Sequence, residues 1–293
     1  MKLERLSPCK VNLLLNILGK RPDGFHELET VFHPVALTDR LTFEKSGSSI
    51  RLSCSNPNLP VDAGNLVFRA AESFLKRAGI SDGVAIHLDK RVPLAAGLGG
   101  GSSNAAHTLL GLNELFGAPL TNADLILLAA GLGSDVPFFL QDRPALGLGR
   151  GEQIEPLEQF PSLRGVHILL VHPGFGISTP WAYQNLARFP SALNGRPGRA
   201  RELAERLRSD SLEAAAPLFY NSLEAPALEK YPILAMFQEF FRENGAAAAL
   251  MSGSGSTTFC LTKSRALAEQ ISEKFQSKFG DGCWLAVAPL QEC

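Results

Sequence analysis

Four glycines and two serines leading straight into a helical pattern constrain this chain more than any other feature. The segment is Pro93-Leu94-Ala95-Ala96-Gly97-Leu98-Gly99-Gly100-Gly101-Ser102-Ser103-Asn104-Ala105-Ala106. Gly97, Gly99, Gly100 and Gly101 lack a Cβ, so the backbone is free to take positive φ and to approach a ligand closely. The helix that follows offers unpaired N–H groups and a positive dipole end, which together hold an anion such as phosphate. The segment is not a Walker A loop: no Gly-x-x-x-x-Gly-Lys-Ser/Thr string occurs and no lysine follows these glycines. A dinucleotide fingerprint fits poorly, because that motif expects an acidic residue about 20 residues on, where Thr121-Asn122-Ala123-Asp124 reads as the start of another helix. The plain alternative is a flexible glycine turn, but such linkers rarely flow into a capped amphipathic helix.

At 293 residues, with 45% hydrophobic and 19% charged residues, the chain is long enough for two domains or one large one with a full core. A net charge of −1 leaves no basic stripe for nucleic acid or anionic lipid, so the expected partner is a small molecule. Cys9, Cys54, Cys260, Cys283 and Cys293 are scattered, without a Cys-x-x-Cys pair or metal-ligand spacing, and read as reduced thiols of a cytoplasmic protein. His33, His87, His107, His167 and His172 show no metal spacing either and read as structural, so no protein-held metal is expected. The N-terminus lacks the apolar run of a signal peptide, and no stretch approaches the 18 or so apolar residues of a membrane span. The expected state is a monomer or weak homodimer without membrane or nucleic-acid contacts.

Lys10 to Ile17 reads as a strand ended by Gly19 and the turn Arg21-Pro22-Asp23-Gly24. An apolar stripe over 65–78, with Lys76 and Arg77 in its last turn and Gly79 beyond, predicts an amphipathic helix. Val84 to Leu88 is a strand delivering the chain to the glycine loop, and Ser103 to Phe116 is a helix stopped by Gly117. A helix over 124–130, capped by Thr121 or Asn122, leads into Gly131-Leu132-Gly133-Ser134-Asp135-Val136-Pro137, a turn that sets a carboxylate among small residues. The pattern restarts with a strand over 166–171, and Thr179-Pro180 reads as a cap and first helical residue. The stretch 188–199, including Asn194-Gly195, reads as loop. Helices over 200–208 and 231–244 follow, then strand 247–251, loop Ser252-Gly253-Ser254-Gly255-Ser256, strand 257–261, a helix over 265–279 capped by Ser264, and strand 284–288. The second half thus predicts helices covering an antiparallel sheet, with domains at 1–157 and 158–293.

Lys10-Val11-Asn12-Leu13, the Pro93–Ala106 segment and Met251-Ser252-Gly253-Ser254-Gly255-Ser256 together resemble, in order and content, the GHMP kinases, which phosphorylate small molecules with ATP. The match narrows to members whose acceptor is a cytidine-diphosphate-bearing methylerythritol of non-mevalonate isoprenoid synthesis. It runs almost end to end through Gly19 to Leu28, Asn65-Leu66-Val67, Gly133 to Pro137, Gly149-Arg150-Gly151-Glu152, Ser178-Thr179 and Asn221-Ser222-Leu223-Glu224. Cys9, Phe25 and Ser222 depart from the alanine, tyrosine and aspartate common in that group. The resemblance implies an α+β fold of two domains, the first like domain 2 of ribosomal protein S5 and the second a ferredoxin-like α/β sandwich.

The resemblance also implies a site. Pro93, Leu94, Ala95, Ala96, Gly97, Leu98, Gly99, Gly100, Gly101, Ser102 and Ser103 would cradle the phosphates of ATP, with a hydroxyl of Ser102 or Ser103 added and Mg²⁺ delivered with the nucleotide. Asp135 would orient or deprotonate the acceptor hydroxyl, and Lys10 would hold Asp135 ionised and stabilise the transferring group. Asn12, Phe25, His26, Thr179 and Tyr183 would bind the acceptor, the aromatic rings around cytosine and His26 on its edge. From the residues alone, Asp135 has a lesser alternative as a turn or cap aspartate, and Lys10 a stronger one as a solvated charge. Asn12 reads as satisfying a strand end, Phe25 and Tyr183 as core, His26 as a turn contact, and the 252–256 loop as a hairpin turn. Two other identities compete: a GHMP kinase for mevalonate or homoserine, and a nucleotide-binding regulator without transfer. Intact Lys10 and Asp135 weigh against the regulator.

Overall fold

Burial along the first strand changes from alternating to continuous. In the computed structural model, which describes residues 2–193 and 195–290, β1 (Lys2–Lys20) alternates exposed and half-buried positions up to Leu6 and is buried without a break from Cys9 to Ile17. A strand covered on both faces reads as such an unbroken run. The turn after it closes where Gly24 N donates to Arg21 O at 3.1 Å. There follow β2 (His26–Lys45), β3 (Ile50–Cys54), α1 (Leu66–Ala78), β4 (Val84–Asp89), α2 (Gly100–Leu115), α3 (Asn122–Leu132), β5 (Ala145–Gly149), β6 (Gln153–Pro156), β7 (His167–His172) and α4 (Thr179–Leu186). The chain continues through α5 (Arg199–Ser209), α6 (Leu212–Ala215), β8 (Tyr220–Asn221), α7 (Glu224–Lys230), α8 (Pro232–Glu243), β9 (Ala248–Met251), β10 (Thr258–Thr262), α9 (Arg265–Phe279) and β11 (Trp284–Pro289). The loop position Asn194 and the thiol Cys293 lie outside the described residues.

These elements form two compact units that interleave along the chain. One comprises Met1–Cys9, Leu37–Pro93 and Gly99–Asp142; the other comprises Lys10–Ala36, Leu94–Leu98 and Arg143–Cys293. The sequence reading placed one cut after residue 157, whereas here β1 and β2 each supply residues to both units.

In the first unit β4 runs antiparallel to the end of β2, Leu41 opposite Leu88, and parallel to β3. The Asn65 side chain accepts from Val67 N to cap α1, worth about 1 kcal/mol, and Gly79 closes the helix at φ +64°. The predicted stripe is buried through Val67, Ala70, Ala71, Phe74 and Leu75. Thr121 and Asp124 form a reciprocal capping box at the start of α3, settling which of Thr121 and Asn122 is the cap. Among the boundaries that differ from expectation, α3 runs two residues further at each end than 124–130, and α2 begins at Gly100, three residues before Ser103, with Gly99 as N-cap at φ +68°. Glycine's low helix propensity concealed that first turn.

In the second unit the antiparallel sheet that the sequence predicts is present, and its strand order is β11-β7-β10-β9. Phe237, Phe240 and Phe241 of α8 pack with Phe275 of α9, the Phe237 and Phe275 ring centres 4.7 Å apart, in one core with Leu169, Val171 and Cys260. The start of β2 pairs with β5, which turns back into β6, and β1 pairs in parallel with β8 at Leu14 and Leu15. No described helix is long and apolar enough to cross a membrane.

Candidate active site

Lys10 is 3% exposed, which rules out the solvated-charge reading. Alternation along β1 places Lys10 and Asn12 on one face, and the ammonium donates to Asn12 Oδ1 at 2.7 Å and to Gly97 O at 3.2 Å. Asn12 Nδ2 donates in turn to Thr30 Oγ1 of β2 at 2.8 Å, so the amide is held with its oxygen toward the lysine. The Lys10 amide donates to Leu98 O at 3.0 Å. Strand and glycine loop are therefore bonded twice, through backbone and side chain.

The late glycine–serine loop reaches the same carbonyl. Ser252 to Ser256 turns between β9 and β10, with Ser252 N donating to Thr257 O, and is thus the hairpin turn that the residues alone suggest. Ser252 Oγ also donates to Gly97 O at 3.0 Å and Thr257 N to Ala96 O at 3.2 Å, so the hairpin packs on the first glycine loop. Gly97 has φ +78°, and a Cβ there would lie 2.1 Å from Ser252 O. Only glycine fits that contact.

Leu94 to Leu98 belong to the same unit as Lys10, while Pro93 and Gly99 onward belong to the other. There Gly99 caps α2 without a side-chain bond and the first turn carries no acidic residue, leaving N–H groups for an anion. Ser103 is fully buried with Oγ 2.7 Å from Ser7 Oγ, whereas Ser102 is half-buried. Of the two hydroxyls, that of Ser102 is the one open to a ligand. Sequence reasoning overlooked Asp39. Its fully buried carboxylate accepts from Lys90 Nζ at 2.6 Å, Arg91 N at 2.7 Å, Val92 N at 2.8 Å and Asn104 Nδ2 at 2.9 Å. Four donors compensate a charge that would otherwise be costly to bury, and they tie the approach to the loop onto α2.

Asp135 lies in this first unit, half-buried in the turn between the α3 cap Gly133 and a short 3₁₀ turn at Pro137–Leu140. Val136 N donates to Gly133 O at 3.1 Å and closes the turn.

Asn12, Phe25, His26, Thr179 and Tyr183, the residues expected to bind the acceptor, lie in the unit of Lys10. Phe25 is not core: it is 52% exposed, with the Arg150 guanidinium 4.8 Å from its ring centre. The rings of His26 and Tyr183 lie 5.0 Å apart. Burial, and secondarily Lys20, lowers the His26 pKa, so at neutral pH its imidazole offers one donor and one acceptor. Thr179 and Tyr183 share a face of α4 four residues apart, and Thr179 Oγ1 is 2.9 Å from Ser254 Oγ. The α4 cap is Ser178 rather than Thr179, one residue earlier than expected, because the Ser178 hydroxyl accepts from Trp181 N.

Two further groups around the hairpin carried no sequence assignment beyond their motif. Asn221 Nδ2 donates to Met251 O and Gly253 O, both at 2.8 Å, and Glu224 Oε1 accepts from Met251 N at 2.7 Å. Burial pushes the Glu224 carboxyl up to about 7, against the lowering by the Met251 amide, Gln238 and Arg242. Among the described residues no group of three or more His, Cys, Asp or Glu is placed to hold a metal.

Comparison with known proteins places the chain in a family. The profile of the GHMP kinases N terminal domain matches residues 65–143 and that of the GHMP kinases C terminal domain residues 195–281. The 4-diphosphocytidyl-2-C-methyl-D-erythritol kinase of Acaryochloris marina (strain MBIC 11017) is 40% identical over 286 residues, 94% of this chain and 92% of the relative. That of Gloeobacter violaceus (strain ATCC 29082 / PCC 7421) is 42% identical over 274 residues, 92% of this chain and 89% of the relative. A crystal structure of 4-(cytidine 5'-diphospho)-2C-methyl-D-erythritol kinase superposes with TM-score 0.81 at 38% identity, covering 98% of this chain and 99% of that one. Homoserine kinase from Cytophaga hutchinsonii ATCC 33406, at 19% identity and TM-score 0.75 over 99% and 95% of the two chains, shares the fold.

Proposed function

The chain belongs to the GHMP kinases, in their 4-diphosphocytidyl-2-C-methyl-D-erythritol kinase branch, and on that premise we propose how its residues carry the transfer. The reaction moves the γ-phosphoryl group of ATP to the 2-hydroxyl of 4-(cytidine 5'-diphospho)-2-C-methyl-D-erythritol, a step of the non-mevalonate route to isoprenoid precursors. Positioning and charge stabilisation dominate such a reaction, since the transition state is loose. The backbone from Pro93 to Ser103 holds the phosphates at the glycine loop and the uncapped start of α2, with the Ser102 hydroxyl as a further donor. Lys10 stabilises the charge that develops on the transferring group. Asn12, held by Thr30, fixes the ammonium and donates or accepts at the acceptor hydroxyl. The hydroxyl oxygen attacks the γ-phosphorus, ADP departs, and the proton passes to the Asp135 carboxylate. Mg²⁺ delivered with the nucleotide to the Pro93–Ser103 loop would neutralise phosphate charge. The observation that carries this reading is the convergence of Lys10 and Ser252 on Gly97 O, which brings strand, first loop and late loop to one point.

The cytosine end falls to Phe25, His26 and Tyr183, with Thr179 beside them on α4. The neutral imidazole of His26 matches the mixed donor and acceptor edge of a pyrimidine, and the rings stack on its face. Free cysteines at positions 9, 54, 260 and 283 fit a cytoplasmic enzyme, and we take it to act as a monomer or weak homodimer. Because Phe25 is exposed, Phe25→Ala leaves the fold alone and removes a stacking partner, a loss of about 1–3 kcal/mol for an aromatic under a base. Steady-state kinetics then shows KM for the cytidyl substrate raised about tenfold or more, with kcat and KM for ATP within about threefold of wild type. An unchanged KM for the cytidyl substrate removes Phe25 from the cytosine site.

A further inference from the structure

The segment Asn221-Ser222-Leu223-Glu224 joins two elements of the site without belonging to either. Ser222 is fully buried; its amide donates to Leu15 O at 2.8 Å, and its hydroxyl accepts from Ile17 N at 3.0 Å. The segment is thereby fastened to β1, the strand that carries Lys10 and Asn12. From that anchor Asn221 donates through Nδ2 to Met251 O and Gly253 O, while its Oδ1 accepts from Leu223 N at 2.9 Å. Its amide is fully committed, with both strong bonds directed at the first residues of the hairpin. Glu224 takes the remaining polar group of Met251, its N–H, and also accepts from Gln238 Nε2 at 2.6 Å. Behind it Arg242 donates to Gln238 Oε1 at 3.1 Å and to Ala249 O at 3.2 Å, so the acceptor is backed from α8 and from β9 itself.

We infer that Asn221 and Glu224 are positioning residues for phosphoryl transfer, holding the backbone from Met251 to Gly253 so that the hairpin fixes Gly97 O against Lys10. The inference rests on the catalytic reading given above and extends it by one layer of residues. The distances show why small displacements matter. Lys10 Nζ lies 3.4 Å and Gly97 O 3.0 Å from the point where a Gly253 Cβ would stand, so the hairpin passes beside both and leaves no room for a side chain there. Ser252 Oγ, on the residue between the two carbonyls held by Asn221, reaches Gly97 O. A shift of the Met251–Gly253 backbone therefore moves the partner of the catalytic ammonium. Burial raises the Glu224 carboxyl to about 7, so the folded site already accommodates this side chain in its neutral form. What the Met251 N–H needs is an acceptor at the right reach, not a charge.

Reach and charge separate cleanly in two variants. Glu224→Gln keeps the length and an acceptor oxygen and removes the charge, whereas Glu224→Asp keeps the charge and withdraws the acceptor by one methylene. Asn221→Ala removes both donors to the hairpin, and Asn221→Ser gives the same test if the alanine variant does not fold. The experiment measures kcat and both KM values with Mg-ATP and the cytidyl substrate for these variants and for Lys10→Ala, with melting temperatures recorded beside them. A misplacement of about 1 Å is worth about 100-fold in rate. Glu224→Asp and Asn221→Ala should therefore lose at least about tenfold in kcat with KM for the cytidyl substrate within about threefold, and Glu224→Gln should stay within about threefold of wild type throughout. Wild-type kcat in the Asp and Asn221 variants overturns the inference, as does a Gln variant as impaired as the Asp variant. Loss of activity in Lys10→Ala with full activity in those variants overturns the positioning role alone. Full activity in Lys10→Ala overturns the catalytic reading beneath it.

Discussion

Lys10→Ala lowers kcat by about 10²–10³, the cost of deleting one preorganised donor to a developing oxyanion. The ammonium is buried against Asn12 and Gly97 O, so no solvent cation can replace it at the same place. Removing the side chain leaves Asn12 Oδ1 without this donor, a penalty of about 1–3 kcal/mol, partly offset by the relief of burying a charge. The variant therefore folds, with a lower melting temperature. Asp135→Ala costs about 10²–10⁴ in rate, the range for a positioned general base, and sits in a half-buried turn whose backbone bond from Val136 to Gly133 does not involve its carboxylate. Single-turnover rates on folded protein check both, and a rate within about tenfold of wild type contradicts the assignment, since the smaller of these effects is about 100-fold.

Gly97→Ala abolishes turnover and destabilises the protein together. A methyl group at this position stands 2.1 Å from Ser252 O and 3.0 Å from Gly255 N, and both are backbone atoms of the hairpin that cannot rotate away. At φ +78° an alanine adds backbone strain of about 1–3 kcal/mol before the clash is counted. Relief requires the two loops to part, and parting them breaks the bond of Ser252 to Gly97 O, the carbonyl that also accepts from Lys10. Thermal unfolding and ADP release measured on the same preparation show a lower melting temperature and activity reduced at least 100-fold, the loss for about 1 Å of misplacement. Gly24, also at positive φ, has nothing within 4 Å of its Cβ position, so Gly24→Ala isolates strain from contact. Equal losses in the two variants would show that the approach to the hairpin is not what makes Gly97 necessary.

Much of this was legible in the residues because the relevant physics is local. Glycines before a helix signal a phosphate cradle, and the α1 stripe and its caps lie within the one stretch from Asn65 to Gly79. Lys10 and Asn12 share a strand face by alternation alone. What stayed hidden is what depends on partners distant in sequence. β2 contains Glu29, His33, Pro34 and Asp39, so its pattern does not announce a strand, yet all of its carboxylates that are buried are bonded. Asp39 finds Lys90 and Asn104, and Glu29 accepts from Gly198 N at 2.9 Å and Asn16 Nδ2 at 2.9 Å. Periodicity has no term for such pairs. The Asn221 and Glu224 contacts with the hairpin, about 30 residues on, are invisible for the same reason. Conversely, Ser103 looks like a phosphate donor in a string of letters, and only its contact with Ser7 turns it inward.

The most direct measurement is ADP release from Mg-ATP with the purified protein, offered 4-(cytidine 5'-diphospho)-2-C-methyl-D-erythritol, mevalonate and homoserine in parallel. Turnover with the cytidyl substrate alone is expected, because the proposed task of Phe25, His26 and Tyr183 is to hold a cytosine that the other two acceptors lack. Turnover with mevalonate or homoserine and none with the cytidyl substrate would leave the phosphate loop standing and contradict the acceptor site.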